Sequence, residues 1–283
     1  MDQGRWEEMQ MDCLVNIFSR LGLDDLTAAV PFVCRSWYQA SGDPLGLRTL
    51  DFRHLDFNPS SPFAERISPQ FSFSGFFKLV LARARGASVD LSFPSSVSPS
   101  IEDLYLASDE CPRLKNLSLS RIKSEDETQF LQSIAKWKDL EVLEMDSKPS
   151  ILPELVQQIG LSCSKFHGLK LRGSINKEDA AAIVGNLPNL RWLDLSTCRL
   201  RREEVIAIVE GCRQLKRLNV RDCVGFEADE EVRRRGSWIK VFEHEGSMIE
   251  DECEGFDLED GDRDVSLEEM LMYYDDCYAM WLY

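Results

Sequence analysis

The sequence predicts an α/β fold in which a small helical module precedes a solenoid built from one strand and one helix per repeat, followed by an acidic tail. Three observations support this prediction. A short leucine pattern recurs every 24–26 residues between residues 114 and 220. Amphipathic stretches of ten to twelve residues separate the patterns, and residues 1–52 share neither feature.

The leucine pattern defines the repeats. Five segments read L-x-x-L-x-L with Phe, Met or Val as occasional substitutes: RLKNLSL, DLEVLEM, KFHGLKL, NLRWLDL and QLKRLNV. Their spacing is typical of leucine-rich repeats. The second half of each segment alternates apolar and polar residues, which predicts a strand because successive strand side chains point to opposite faces. Such a unit cannot bury its apolar face alone, so we expect the repeats to stack.

Helical patterns connect the strands at Asp126–Trp137, Leu152–Cys163, Lys177–Leu187 and Glu203–Cys212. A degenerate strand pattern at residues 88–93 extends the array at one end. Another, at residues 238–242, is expected to close it, because solenoid ends need a cap. We therefore place the solenoid at residues 88–245. Residues 53–87, rich in Pro, Ser and Phe, are predicted to be a connector with a short buried helix at Phe76–Ala84.

Nine cysteines raise the question of a metal or redox centre. Zinc sites usually pair ligands two to four residues apart, whereas ten residues separate Cys212 from Cys223 and the three histidines are scattered. The sequence pairs no cysteine with an activating base. Five cysteines instead occupy small apolar positions of the repeat, so we expect core side chains and neither cofactor nor metal: Cys111, Cys163, Cys198, Cys212 and Cys223.

The net charge of −16 is concentrated at the end of the chain. Residues 243–283 hold fifteen acidic residues against one arginine, which leaves −2 for the rest. Nucleic-acid binding needs clustered Lys and Arg, and no run approaches the roughly 20 apolar residues of a membrane helix. We therefore expect neither nucleic acid nor membrane as a partner. The start lacks a secretory pattern, so we expect a protein of the cytoplasm or nucleus with reduced thiols.

Residues 6–52 are predicted to form a module that differs from the repeats. Its first helix, at about residues 12–21, is apolar on more than one side, which calls for burial all round. About forty residues cannot supply that burial alone, so either a partner or the repeat domain is expected to cover the surplus. Pro31 lies inside the second helical pattern and should break that helix.

The module resembles an F-box, because Val33-Cys34-Arg35-Ser36-Trp37 and Asp43-Pro44 match the family's V-C-[RK]-x-W and D-P signatures. The segment Cys212–Cys223 fills the repeat C-x-x-L-x-x-L-x-L-x-x-C of F-box/LRR proteins. Over residues 6–245 the chain is similar to a plant-type F-box/LRR protein. The resemblance implies a non-catalytic substrate receptor of an SCF-type cullin ubiquitin ligase.

In that family the F-box, here residues 1–52, binds a Skp-type adapter and through it a cullin, while the solenoid binds a target protein. Carried over to matching positions, the resemblance assigns adapter binding to Met11, Leu14, Ile17, Phe18, Leu21, Val33 and Trp37. The alternative is a nuclear acidic scaffold that binds basic partners through its tail, which leaves the module unexplained. An enzyme is the third class, and the sequence offers no catalytic constellation for it.

Residues that alternate with the inward leucines are expected to form columns on the concave face, which solenoids use for recognition. The first column is Asn116, Val142, Gly168, Trp192 and Arg217; the second is Ser118, Glu144, Lys170, Asp194 and Asn219; the third is Ser120, Asp146, Arg172, Ser196 and Arg221. Trp and Arg are favoured binding anchors. The target-binding hypothesis is therefore one cluster for an acidic target, comprising Arg172, Trp192, Arg217 and Arg221.

Residues 246–283 are predicted to be an acidic interaction tail, because they are highly charged and poor in apolar residues before their last segment. A terminal helix is indicated by the capping box of Ser266 and Glu269. Its apolar residues fall at helical spacing: Leu267, Met270, Leu271, Tyr274, Tyr278 and Trp281. The helix is expected either to pack on the body or to bind a partner.

Overall fold

The computed structural model describes residues 6, 9–58, 61, 63–64 and 72–249. Within them the N-terminal module contains three helices: α1 (Met11–Phe18), α2 (Leu23–Ala28) and α3 (Arg35–Ser41). A 3-10 turn at Val30–Phe32 separates α2 from α3. Pro31 therefore breaks the second helical pattern as predicted, since proline lacks the amide hydrogen that a continuing helix needs.

Strands and helices then alternate along the chain. The strands are β1 (Thr49–Asp51), β2 (Asp90–Ser92), β3 (Asn116–Leu119), β4 (Val142–Met145), β5 (Gly168–Lys170), β6 (Trp192–Asp194), β7 (Arg217–Asn219) and β8 (Val241–Glu243). The helices are α4 (Phe73–Ala84), α5 (Ile101–Glu110), α6 (Glu127–Lys136), α7 (Leu152–Ser162), α8 (Lys177–Asn186), α9 (Arg202–Gly211) and α10 (Glu230–Gly236). Capping boxes at Ser100 and Asn176 start α5 and α8 by satisfying free backbone amides.

All eight strands form one parallel sheet in chain order, β1 to β8. The register aligns one apolar residue from every strand in a single inward row: Leu50, Leu91, Leu117, Leu143, Leu169, Leu193, Leu218 and Phe242. Leu143, Leu169 and Leu193 have no exposed surface. The predicted α/β solenoid is confirmed, because each strand pairs with the next repeat and the helix between them covers the leucines.

The repeat cysteines lie in this core. Cys163, Cys198 and Cys223 are buried, and each thiol donates to a backbone carbonyl of a preceding repeat. Burial raises the pKa of Cys198 to about 12 and that of Cys223 to about 11. A thiol that stays protonated is a poor nucleophile. In the part of the chain that the structure describes, no group of His, Cys, Asp or Glu side chains is arranged to hold a metal ion.

The sheet begins earlier than the solenoid boundary predicted at residue 88. Strand β1 lies in the range assigned to the module, and α4 lies in the predicted connector. Thr49 pairs with Asp90, which is 41 residues later, whereas the next repeat is 26 residues long. The Pro- and Ser-rich insertion therefore hides the first repeat from a search for a constant period.

Phenylalanines replace leucines in the core of this first repeat. The ring centroid of Phe52 lies 5.5–6.4 Å from those of four other rings, Phe57, Phe73, Phe76 and Phe77. Helix α4 begins at Phe73, three residues before the predicted start, because the Ser72 side chain accepts a hydrogen bond from the Gly75 amide. The described parts of the connector are thus packed as part of the repeat domain.

The other end of the sheet extends slightly past the predicted tail boundary. Val224 forms an isolated bridge with Met248, so residues 246–249 continue the solenoid. Residues 250–283 lie outside the described residues, and with them the remaining tail and the helix predicted from Ser266 and Glu269. None of the helices in the described ranges has the length and apolar content needed to cross a membrane.

Candidate functional site

Helix α1 divides the residues predicted to bind an adapter between its two sides. Leu14 and Phe18 lie in the core, with 0% and 3% of their surface exposed, and the Phe18 ring meets the Trp37 ring edge-on at 5.1 Å between centroids. Met11 and Ile17 each remain 40% exposed. The apolar residues of α1 therefore have two roles. Those on one face pack in the core of the module, and those on the other face are exposed to solvent.

The remaining predicted adapter residues are also divided. Val33 is 59% exposed, whereas Leu21 and Trp37 are part-buried against the core. Of the seven predicted residues, the structure thus brings only Met11, Ile17 and Val33 to the surface. Leu14 and Phe18 are interior residues, because a module of three short helices needs its largest side chains between them.

Three exposed apolar residues between the 3-10 turn and the loop after Pro44 were not singled out by the sequence. Phe32, Tyr38 and Leu45 are 76%, 60% and 59% exposed. They lie on the 3-10 turn, on α3 and in the loop after Pro44. Periodicity cannot identify such residues, since turns have no repeating face. Together with the exposed predicted residues they form what we call the module surface: Met11, Ile17, Phe32, Val33, Tyr38 and Leu45.

The strand register aligns the first two predicted columns. Gly168 pairs with Val142 on one side and Trp192 on the other, in the register expected from the repeat. A Cβ atom on Gly168 would lie 2.8 Å from Cε3 of Trp192 and 2.9 Å from Cγ2 of Val142. The missing side chain of Gly168 therefore makes room for the indole, and Trp192 is part-buried by its neighbours.

The arginines of the predicted target cluster all have acidic partners within the chain. Arg172 Nη1 lies 3.1 Å from Asp194 Oδ1, Arg217 Nε donates to Glu243 at 3.0 Å, and Arg221 Nε lies 3.7 Å from Glu245. The structure therefore does not present Arg172, Arg217 and Arg221 with Trp192 as a free cationic cluster. The sequence pattern missed this because the acidic partners come from the neighbouring repeats.

Asp194, the acidic partner of Arg172, is stabilised in its ionised form. Burial favours the protonated acid, but hydrogen bonds from Ser196 and Asn219 and the charge of Arg172 outweigh it, so the pKa of Asp194 lies below its usual value. In the second column, Lys170 Nζ lies 3.6 Å from Glu144 Oε2. The middle of the concave face is thus charged but internally compensated.

No family model matches the chain, but the chain is similar in sequence to several F-box proteins. An F-box/LRR-repeat protein of Arabidopsis thaliana is 30% identical over 224 residues, which cover 76% of this chain and 71% of that protein. The Arabidopsis F-box protein SKIP19 is 26% identical, with coverages of 87% and 79%. Putative F-box/LRR-repeat protein 22 of Arabidopsis is 28% identical, with coverages of 87% and 78%.

Among solved structures, an internalin from Listeria monocytogenes matches with a TM-score of 0.38 and 18% identity. The match covers 63% of this chain and 52% of the internalin.

Proposed function

The chain belongs to the F-box/LRR-repeat proteins, and from that premise we propose that it is a substrate receptor of an SCF-type cullin ubiquitin ligase. Its module holds a Skp-type adapter, which connects it to the cullin, and its solenoid holds the target. The receptor performs no catalysis of its own. It acts in the cytoplasm or nucleus by bringing the target close to the ligase, so that ubiquitin transfer becomes effectively intramolecular.

The module surface is the observation that supports this proposal. Leu14 and Phe18 already close the module's core. The junction with the repeats is also occupied, since Arg83 of α4 donates to Ser41 of α3 at 2.9 Å. These contacts leave the module surface in solvent, and even Tyr38, whose ring lies 5.9 Å from the Arg83 guanidinium, stays 60% exposed. Large exposed apolar residues grouped on so small a unit are typical of a protein-binding site.

Charge substitutions on the module surface test the proposal. Phe32→Asp and Val33→Asp should each weaken adapter binding by about ten-fold or more, because each places a charge in an apolar interface. Their melting temperatures should stay at the wild-type value, since both side chains are already in water. The measurement is a titration of purified Skp-type adapter against the full chain.

Leu161→Asp is the matched control, because Leu161 is 78% exposed on α7 of the solenoid. It should leave adapter binding unchanged. Leu14→Asp and Phe18→Asp do not test the interface cleanly, since a charge in the core would unfold the module. Wild-type adapter affinity in both surface variants, with intact folding, would refute the assignment.

A further inference from the structure

We propose that one rim of the sheet binds an acidic, extended segment of a partner protein. This inference rests on the proposed function and specifies the chemistry of its target. The basic rim consists of Arg191, Lys216 and Lys240, the residues that immediately precede β6, β7 and β8. All three side chains are exposed.

The backbone places these three residues side by side. The Lys216 amide donates to the Arg191 carbonyl at 2.8 Å, and the Val241 amide, one residue after Lys240, donates to the Lys216 carbonyl at 3.0 Å. Adjacent strands lie about 4.8 Å apart. The backbones of the three cationic residues therefore span about 10 Å, in a row that runs across the strands.

These cations are uncompensated, unlike Lys115 of an earlier repeat. At the same position before β3, Lys115 pairs with Glu141 at 2.7 Å. Within the described ranges, the side chains of Arg191, Lys216 and Lys240 have no ion pair or hydrogen bond. Like charges on adjacent strands destabilise a sheet. A bound anion would relieve that repulsion, so the rim favours an acidic ligand.

An extended acidic segment suits a row of long, exposed cationic side chains. Alternate side chains of an extended chain lie about 6.6–7 Å apart on one face, and Lys and Arg side chains are long enough to meet carboxylates at that spacing. Trp238, two residues before Lys240 in the sequence, is 42% exposed and is available for an apolar contact. The sequence predicted that an acidic target binds Arg217, but Arg217 is paired with Glu243. We assign that target instead to the residues of the basic rim, such as Lys216, which immediately precedes Arg217.

Peptide binding to the full chain tests the inference. The probe is a fluorescein-labelled peptide in which Glu alternates with Gly, and a peptide with Lys in place of Glu serves as the probe control. Fluorescence anisotropy should show binding of the Glu peptide alone, and added salt should weaken it because exposed charges are screened. The triple variant Arg191→Glu, Lys216→Glu and Lys240→Glu should bind about ten-fold more weakly or worse.

The matched variant carries the same three charge reversals elsewhere: Lys123→Glu, Lys177→Glu and Arg201→Glu. These exposed residues lie in the loops that lead into helices or at a helix start, and their reversal should leave peptide binding unchanged. Equal losses in both variants, or no binding to the wild type, would overturn the inference. So would a single-stranded oligonucleotide that binds the rim as tightly as the peptide, since the site would then accept any polyanion.

Adapter binding, measured in the same samples, separates the two proposals. The rim variant should keep wild-type adapter affinity, because the basic rim and the module surface are different parts of the chain. A wild type that binds the acidic peptide and not the adapter would refute the ligase role and leave the basic rim standing.

Discussion

The solenoid and the N-terminal module use their apolar residues differently. Inside the solenoid, each strand places a leucine such as Leu169 or Leu193 against the equivalent residue of the next repeat. The module has no equivalent neighbour, and Phe32 and Tyr38 remain in solvent. Near the last strand that the structure describes, Trp238 and Val241 are also partly in solvent, with 42% and 39% of their surface exposed. The repeats thus bury their row of leucines, whereas the module leaves large apolar side chains in solvent.

The largest expected effect comes from breaking the repeat contact itself. Leu193→Ala should lower the free energy of unfolding by about 3 kcal/mol, because it removes buried methyl groups and leaves a cavity in a row that cannot close up. Urea unfolding followed by circular dichroism measures the change. Leu161→Ala, at an exposed position, should change it by less than about 0.5 kcal/mol. Similar values for the two would mean that the leucine row does not hold the solenoid.

The buried thiols should make the stability of the solenoid depend on pH, whereas the exposed thiol of the module should not. The pKa of Cys111 is raised to about 12 and that of Cys212 to about 11, in each case by burial, whereas an unfolded cysteine has a pKa of about 8.5. Below the unfolded pKa these thiols cost no stability. As the pH rises above it, the unfolded state loses protons first, and the solenoid should become less stable up to the folded pKa.

Unfolding at pH 7 and pH 10 tests this expectation. The wild type should lose more stability over that interval than Cys198→Ala, which lacks one of the buried thiols. At pH 7 the same substitution should itself cost about 1–2 kcal/mol as a core truncation. Cys13→Ala is the control, because Cys13 is exposed in the module. An identical pH dependence in all three proteins would contradict the burial argument.

The junction between the two regions should show a smaller effect. The Arg83 guanidinium is desolvated, which lowers its pKa, and it lies 5.9 Å above the Tyr38 ring while bonding to Ser41. Arg83→Ala should lower stability by about 1 kcal/mol, because it removes one charged hydrogen bond and one cation–π contact. Thermal unfolding should then show the module melting before the repeats. A single transition at the wild-type temperature would indicate that other contacts hold the junction.

The smallest effect is expected on the concave face. Lys170→Ala removes the pair with Glu144, in which both side chains are partly exposed. Exposed pairs contribute about 0–1 kcal/mol, so urea unfolding should show little change, and high salt should reduce it further. A loss as large as that of Leu193→Ala would show that charge pairing, rather than the leucine row, stabilises the repeats.

Much of the fold follows from local sequence. The strands from β2 to β8 lie where L-x-x-L-x-L or its degenerate forms predict them, because a strand alternates its faces whatever surrounds it. The five repeat cysteines are buried for the same reason. The first repeat was missed, since an insertion lengthens it to 41 residues and Phe52 stands in a core rich in phenylalanine.

The sequence by itself determined the repeat period, the inward row of leucines, the buried cysteines and the break at Pro31. These features depend on residues near in sequence or on a constant spacing. Only the tertiary structure decided which apolar residues of the module face solvent, and which arginines are paired. Leu14 and Ile17 are both apolar residues of one helix, yet only Ile17 is exposed. Arg217 and Lys216 are adjacent, yet only Arg217 meets an acid, Glu243. Both distinctions depend on side chains contributed by distant parts of the chain, which no local pattern specifies.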